Sequence, residues 1–220
     1  MSKIIGRKHE IEELERLYDS DRPEFVAIYG RRRVGKTFLI KHALKGRFTF
    51  QHTGVSPVDQ KDERNRMKTQ LESFYFSLLN HGLEGYQQPK SWMEAFFQLI
   101  QLLQSQDRGQ RMVIFLDELP WMDTPRSRFL SAFESFWNGW CSGHDNIMLI
   151  VCGSATSWIL SNLSHNKGGL YGRLTCQIKL SPFTLKECEE YFDHENIEMS
   201  RYDILQTSMV VGGLPYFLCY

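Results

Sequence analysis

Gly30-Arg31-Arg32-Arg33-Val34-Gly35-Lys36-Thr37 sets two glycines, a lysine and a hydroxyl in the order GxxxxGK[ST]. This spacing suits phosphate chemistry. The glycines let the backbone wrap until successive N–H groups converge on phosphate oxygens, and the positive end of a following helix adds to the pull. Lys36 is expected to reach the β and γ phosphates, and Thr37 to offer its hydroxyl to Mg²⁺. The three arginines fill the variable positions, either as a solvated or partner-facing charge run or in direct contact with phosphate.

A second pair of groups supplies what the loop lacks. Met112-Val113-Ile114-Phe115-Leu116 is a continuous apolar run that ends in Asp117-Glu118. Such a run is a strand buried on both faces, so its terminal acids fall at the carboxyl edge of a sheet, where open α/β folds bind ligands. Asp117 is expected to hold the Mg²⁺ shell. Glu118 is expected to orient or deprotonate an attacking water.

The elements around these residues alternate. Glu10 to Tyr18 repeats apolar residues at helical spacing, Asp19 to Pro23 breaks it, and Phe25 to Tyr29 reads as a strand directly before the glycine loop. Phe38 to about Leu44 reads as a helix and Arg47 to Val55 as a strand, with two helices following at about 60–81 and 91–105. Phe129, Phe133, Phe136, Trp137 and Trp140 form an aromatic stripe expected to pack in the core. Ile147 to Val151 repeats the buried-strand pattern, and Thr175 to Leu180 is a weaker last strand. Strands alternating with helices imply an α/β fold with a parallel sheet.

Composition narrows the class further. The 220 residues carry 26 basic and 26 acidic side chains, which gives no bulk pull toward nucleic acid or an anionic membrane. Cys141, Cys152, Cys176, Cys188 and Cys219 make no CxxC pair, and no secretory or membrane-spanning run is present. A reduced cytoplasmic setting without membrane insertion is the expectation.

With these residues in place the sequence resembles the AAA+ superfamily, and within it the STAND-type and archaeal-type ATPase branch, from about Ile4 to Leu218. The resemblance implies a three-layer phosphate-loop fold on a mainly parallel five-stranded sheet. Residues 1–183 would form the nucleotide-binding domain, and 184–220 the beginning of a small helical lid, cut short. Ile4-Ile5-Gly6-Arg7 resembles the entry motif bordering adenine and ribose, or is a plain packing segment. Cys152-Gly153-Ser154 falls at the sensor 1 position; Ser154 would sit near the γ-phosphate, or Ser154 or Thr156 would cap a helix. Gly172-Arg173 resembles an arginine finger, acting in cis or from a neighbouring subunit, or is an ordinary ion-pairing arginine. Gly212-Gly213-Leu214-Pro215 resembles the GxP motif that closes over adenine, or is a turn between helices.

The resemblance places Ile5, Gly6, Arg7, Gly30, Arg33, Val34, Gly35, Lys36, Thr37, Phe38 and Pro215 around ATP or ADP. Thr37 and Asp117 would hold Mg²⁺, and Glu118, Lys36, Arg173 and Ser154 would serve catalysis. The leading expectation is Mg²⁺-dependent ATP hydrolysis as a molecular switch. Alternatives are a regulatory nucleotide-binding module with negligible turnover, acting on a protein or DNA, and a small-molecule kinase. No NKxD guanine-reading motif is present. The resemblance also allows a homo-oligomer, if Arg173 acts in trans, and protein or DNA partners engaged through further C-terminal regions such as a winged helix.

Overall fold

The computed structural model describes residues 4–57, 65–164 and 168–218. Five strands form one sheet: β1 (Glu24–Tyr29), β2 (Phe48–Thr53), β3 (Met112–Asp117), β4 (Ile147–Gly153) and β5 (Cys176–Lys179). Their order is β2-β3-β4-β1-β5, and every neighbouring pair is parallel. The expected α/β architecture is present. Helices cover both faces: α1 (Lys8–Tyr18), α2 (Lys36–Ala43), α3 (Arg66–Asn80), α4 (Trp92–Gln106), α5 (Leu119–Met122), α6 (Phe129–Gly139) and α7 (Thr156–Ile159).

The alternation of side chains along each strand explains the two layers. Phe25 and Ala27, Ile114 and Leu116, and Leu149 and Val151 point into one core with α3, α4 and α6. Val26 and Ile28, Val113 and Phe115, and Met148 and Ile150 point into the other with α1 and α2. β3 and β4 are buried along their whole length, as continuous apolar runs in a parallel sheet require.

The aromatic stripe is core packing. Phe133 lies edge-on to Phe25 at 5.8 Å between ring centres and stacks on Phe129 at 5.7 Å, while Trp137 meets Phe25 at 4.7 Å. The helix ends one residue short of the last stripe member. Trp140 leaves the helical conformation and packs against His144 at 4.3 Å.

Several boundaries differ from the sequence reading. The helix after the glycine loop begins at Lys36, and the two middle helices span 66–80 and 92–106. Part of the earlier stretch expected as helix, 60–64, lies outside the described residues. Among the described residues Cys141, Cys152, Cys176 and Cys188 are free thiols, and Cys219 lies outside them. No helix among the described residues is long and apolar enough to cross a membrane.

Beyond β5, α8 (Leu185–His194), α9 (Arg201–Val211) and α10 (Pro215–Leu218) pack around Cys188, Phe192, Ile204 and Leu218. Thr184 starts α8 with a capping box, its hydroxyl taking the Glu187 N–H while the Glu187 carboxylate takes the Thr184 N–H. Gly213 joins this unit to the sheet: its carbonyl accepts from the Phe183 N–H at 2.7 Å. Its φ of 63° and the Phe183 carbonyl, which a Cβ would strike, require glycine.

Candidate functional site

The glycine loop leaves β1 at the carboxyl edge of the sheet and enters α2 at Lys36. Gly30 lies so close to the Leu180 carbonyl that a Cβ would collide with it, so only glycine lets β1 and the end of β5 meet there. Lys36 is 5% exposed, and its ammonium donates to the Gly30 and Arg31 carbonyls at 3.0 Å each. The loop's own oxygens thus hold the cation within the cradle.

β3 brings its acids to the same edge. Asp117, 4% exposed, accepts the Thr37 hydroxyl at 2.8 Å on one oxygen and the Glu118 N–H at 3.0 Å on the other. A hydroxyl and a carboxylate this close are hard oxygen donors of the kind Mg²⁺ takes singly, with phosphate and water completing its shell. A larger protein cage is not needed, and among the described residues no cluster of three His, Cys, Asp or Glu side chains suited to a metal occurs.

Glu118 has left-handed backbone, with φ 47°, at the first residue beyond the strand. This turn ends β3 and starts α5. Its carboxylate is fixed from β4: the Ser154 N–H and hydroxyl both donate to one oxygen at 3.1 Å. Glu118 therefore lines the cavity as a positioned acceptor. The helix-capping alternative for Ser154 does not hold. Ala155 is the N-cap residue of α7 and no side chain caps it, because the Ser154 hydroxyl is engaged by Glu118. Beneath them Cys152 is buried against Asp117, and burial first, then that carboxylate, pushes its thiol well up. It is an inert packing thiol.

A cavity of about 1050 Å³ runs from the glycine loop to α8 and α10. Lys36, Thr37 and Glu118 line its polar end; Ile4, Ile5, Phe183 and Leu218 make its apolar end, with Pro215 beside them. Arg33, Val34, Gly35 and Phe38 complete the wall on the loop side. Arg7 lines the cavity yet its guanidinium is committed elsewhere. It donates to the Ser181 carbonyl at 2.6 Å, stacks on Phe183 at 4.9 Å, and pairs with Glu10 at 3.7 Å. Burial lowers its pKa, opposed by Glu187 and Glu10. Gly6 packs against Glu187. The amino-terminal segment is thereby docked on the first turn of α8 and borders the cavity as well, so packing and lining are one role here.

Arg173 is not with the others. It is exposed, two residues before Thr175, whose N–H bonds the Phe25 carbonyl at the start of β1. Four residues of parallel strand, about 13 Å, separate that end from the glycine loop. The preceding turn is tied to α6 through Asn138, which donates to the Gly169 carbonyl at 2.8 Å. Arg173 thus lies by the amino edge of the sheet, opposite the edge that carries this chain's own loop.

Residues missed in the sequence include several on or just after α8 and one on α10. Tyr191, His194 and Glu195 line the cavity from α8 and its C-cap, and Tyr216 from α10. The Thr184-to-Glu187 capping signal announces α8, and Tyr191 and Glu195 share one face at helical spacing. Nothing local says that this face turns toward the loop.

The comparisons with known proteins agree with this geometry. Residues 4–220 match the model of a family described as an ATPase domain predominantly from Archaea. The chain belongs to that family. It is a phosphate-loop, AAA+-like ATPase domain. Its relatives include an uncharacterized protein of Methanocaldococcus jannaschii, 27% identical over 98% of this chain and 43% of the relative. Among solved structures it resembles the Walker-type ATPase of Pyrococcus abyssi, with a TM-score of 0.66 and 19% identity, over 98% of this chain and 65% of that one. It also resembles the Orc2 protein of Aeropyrum pernix in its ADPNP and ADP complexes, with a TM-score of 0.58 and 15% identity over 92% and 53%. The chain thus spans under half of that relative and under two thirds of either structure. At these identities the structures speak for the fold alone.

Proposed function

We propose that this ATPase domain binds ATP with Mg²⁺ at the Gly30–Thr37 loop and hydrolyses its β–γ bond as a molecular switch. The observation that carries the reading is the meeting of three groups at one sheet edge. Lys36 sits in the loop, Thr37 is bonded to Asp117, and Glu118 is fixed by Ser154. The phosphates would displace the Gly30 and Arg31 carbonyls as partners of the Lys36 ammonium, which then neutralises charge growing on the transferring group. Thr37 and Asp117 would hold Mg²⁺, which supplies charge neutralisation at the phosphate oxygens when bound. Glu118 would take a proton from the attacking water, with Ser154 keeping its carboxylate aimed.

The apolar end made by Ile4, Ile5, Phe183 and Leu218 suits an adenine base held by contact rather than by a guanine-reading carboxylate. Arg173, placed on the far edge, would serve as an arginine finger only toward a neighbouring subunit, so full turnover would require a homo-oligomer. A chain alone would then behave as the slow, regulatory module. The test is calorimetric titration with ATP and GTP, with and without Mg²⁺, on the parent and on Lys36→Ala. Binding of ATP in preference to GTP, lost in Lys36→Ala, is expected; equal binding by the variant would overturn the site.

A further inference from the structure

The three arginines inside the glycine loop part company. Arg32 lies over the Trp121 ring of α5 at 5.8 Å. Arg31 reaches the turn before α10, one of its terminal nitrogens standing 4.0 Å from where a Gly212 Cβ would be. Arg33 crosses to α10 itself, its guanidinium 4.4 Å from the centre of the Tyr216 ring and 5.1 Å from that of Phe217. Left-handed backbone at Arg33, φ 70°, turns the loop at this residue.

We propose that Arg33 is a latch between phosphate loop and lid: without nucleotide it is held on the rings of Tyr216 and Phe217, and bound polyphosphate draws it off and loosens α10. The inference rests on the nucleotide-binding reading above and adds how occupancy reaches the lid. Arg33 and Tyr216 line the same cavity as Lys36 and Thr37, so the guanidinium already borders the space the phosphates would enter. Among the described residues no carboxylate pairs with Arg33, so its charge is not spent on an ion pair. Attraction to a ring face is weaker than a charge-assisted, bidentate bond to phosphate, and a polyphosphate brings several negative charges at once. The exchange of partners therefore runs toward the nucleotide.

On the lid side the consequence is local. α10 is one turn long, anchored inward by Leu218 and at its start by the Gly213 to Phe183 backbone bond. Tyr216 and Phe217 remain over a third exposed even beneath Arg33. Losing the guanidinium removes one contact between these rings and the loop.

Hydrogen exchange at the amides of Leu214, Tyr216, Phe217 and Leu218 reads the latch directly. Inorganic tripolyphosphate with Mg²⁺ is the probe, because it carries the phosphates without a base that could touch Pro215. At concentrations that displace bound ATP, it is expected to raise exchange in α10 about five-fold in the parent, the ratio set by losing roughly one such ring contact. Arg33→Gln and the double variant Tyr216→Leu/Phe217→Leu should show the raised rate without ligand and no further response. Unchanged exchange in ligand-free Arg33→Gln would overturn the latch, even if ATP binds normally. A parent that binds neither ATP nor tripolyphosphate would instead remove the phosphate reading, and the release step with it.

Discussion

The sheet and the unit of α8, α9 and α10 are built to different standards. Every residue of β3 and β4 is buried, and large aromatics from α4 and α6 interlock with Phe25 above them. Among the described residues the unit of α8, α9 and α10 buries only Cys188, Phe192, Ile204 and Leu218 in its own cluster, while Tyr202, Met209 and Val210 of α9 lie exposed. A dense core fixes groups to within the tolerance that catalysis needs, and a sparse one opens at low cost. Lys36, Asp117 and Glu118 belong to the first region. The aromatic partners of Arg33 belong to the second, where movement is available.

Truncation of the sheet's packing should have the largest effect. Phe133→Ala, in a site enclosed by Phe25, Phe96 and Phe129, is expected to cost about 3–5 kcal/mol of global stability. Denaturant melts would show it as a lower midpoint for the main transition. Phe192→Ala in the lid should cost about 2 kcal/mol or less and raise exchange in 185–218 alone, because the small cluster collapses around the gap. An equal shift of the main transition by both would erase the distinction between the regions.

Ser154→Ala keeps the backbone N–H to Glu118 and removes the hydroxyl. Turnover is expected to fall about ten-fold with nucleotide affinity unchanged, as for loss of one bond to a charged group. A matching loss of affinity would show Ser154 acting on the nucleotide rather than through Glu118. The smallest effect concerns His52 on β2. Burial, then the charge of His81, lowers its pKa from 6.5 to about 3. As pH falls from 6.5 to 5.5 the unfolded chain takes up a proton that the folded one refuses, so stability declines by about 1 kcal/mol over that interval. His52→Asn should flatten that part of the stability profile, and melts at pH 6.5 and 5.5 would reveal it.

The parts legible in sequence are those written locally. Three strands announce themselves as unbroken apolar runs, the glycine loop by its spacing, and Asp117 by ending a buried strand. The rest depends on partners far along the chain. Ser154 meets Glu118 across 36 positions, Arg7 meets Ser181 across 174, and Arg33 finds Tyr216 only because the chain returns after β5. No periodicity encodes such pairings. The placing of Arg173 on the far edge likewise follows from the parallel register of β5 beside β1. A left-handed Glu118 opening a four-residue helix has no apolar pattern to betray it.

The central claim is that Glu118, held by Ser154, activates water beside a phosphate bound in the loop. Single-turnover hydrolysis of ATP by Glu118→Gln, measured beside its ATP affinity, tests this most directly. Glutamine keeps the shape and loses the base, so affinity within about three-fold of the parent and turnover at least 100-fold lower are predicted. Hydrolysis at the parent rate would contradict it.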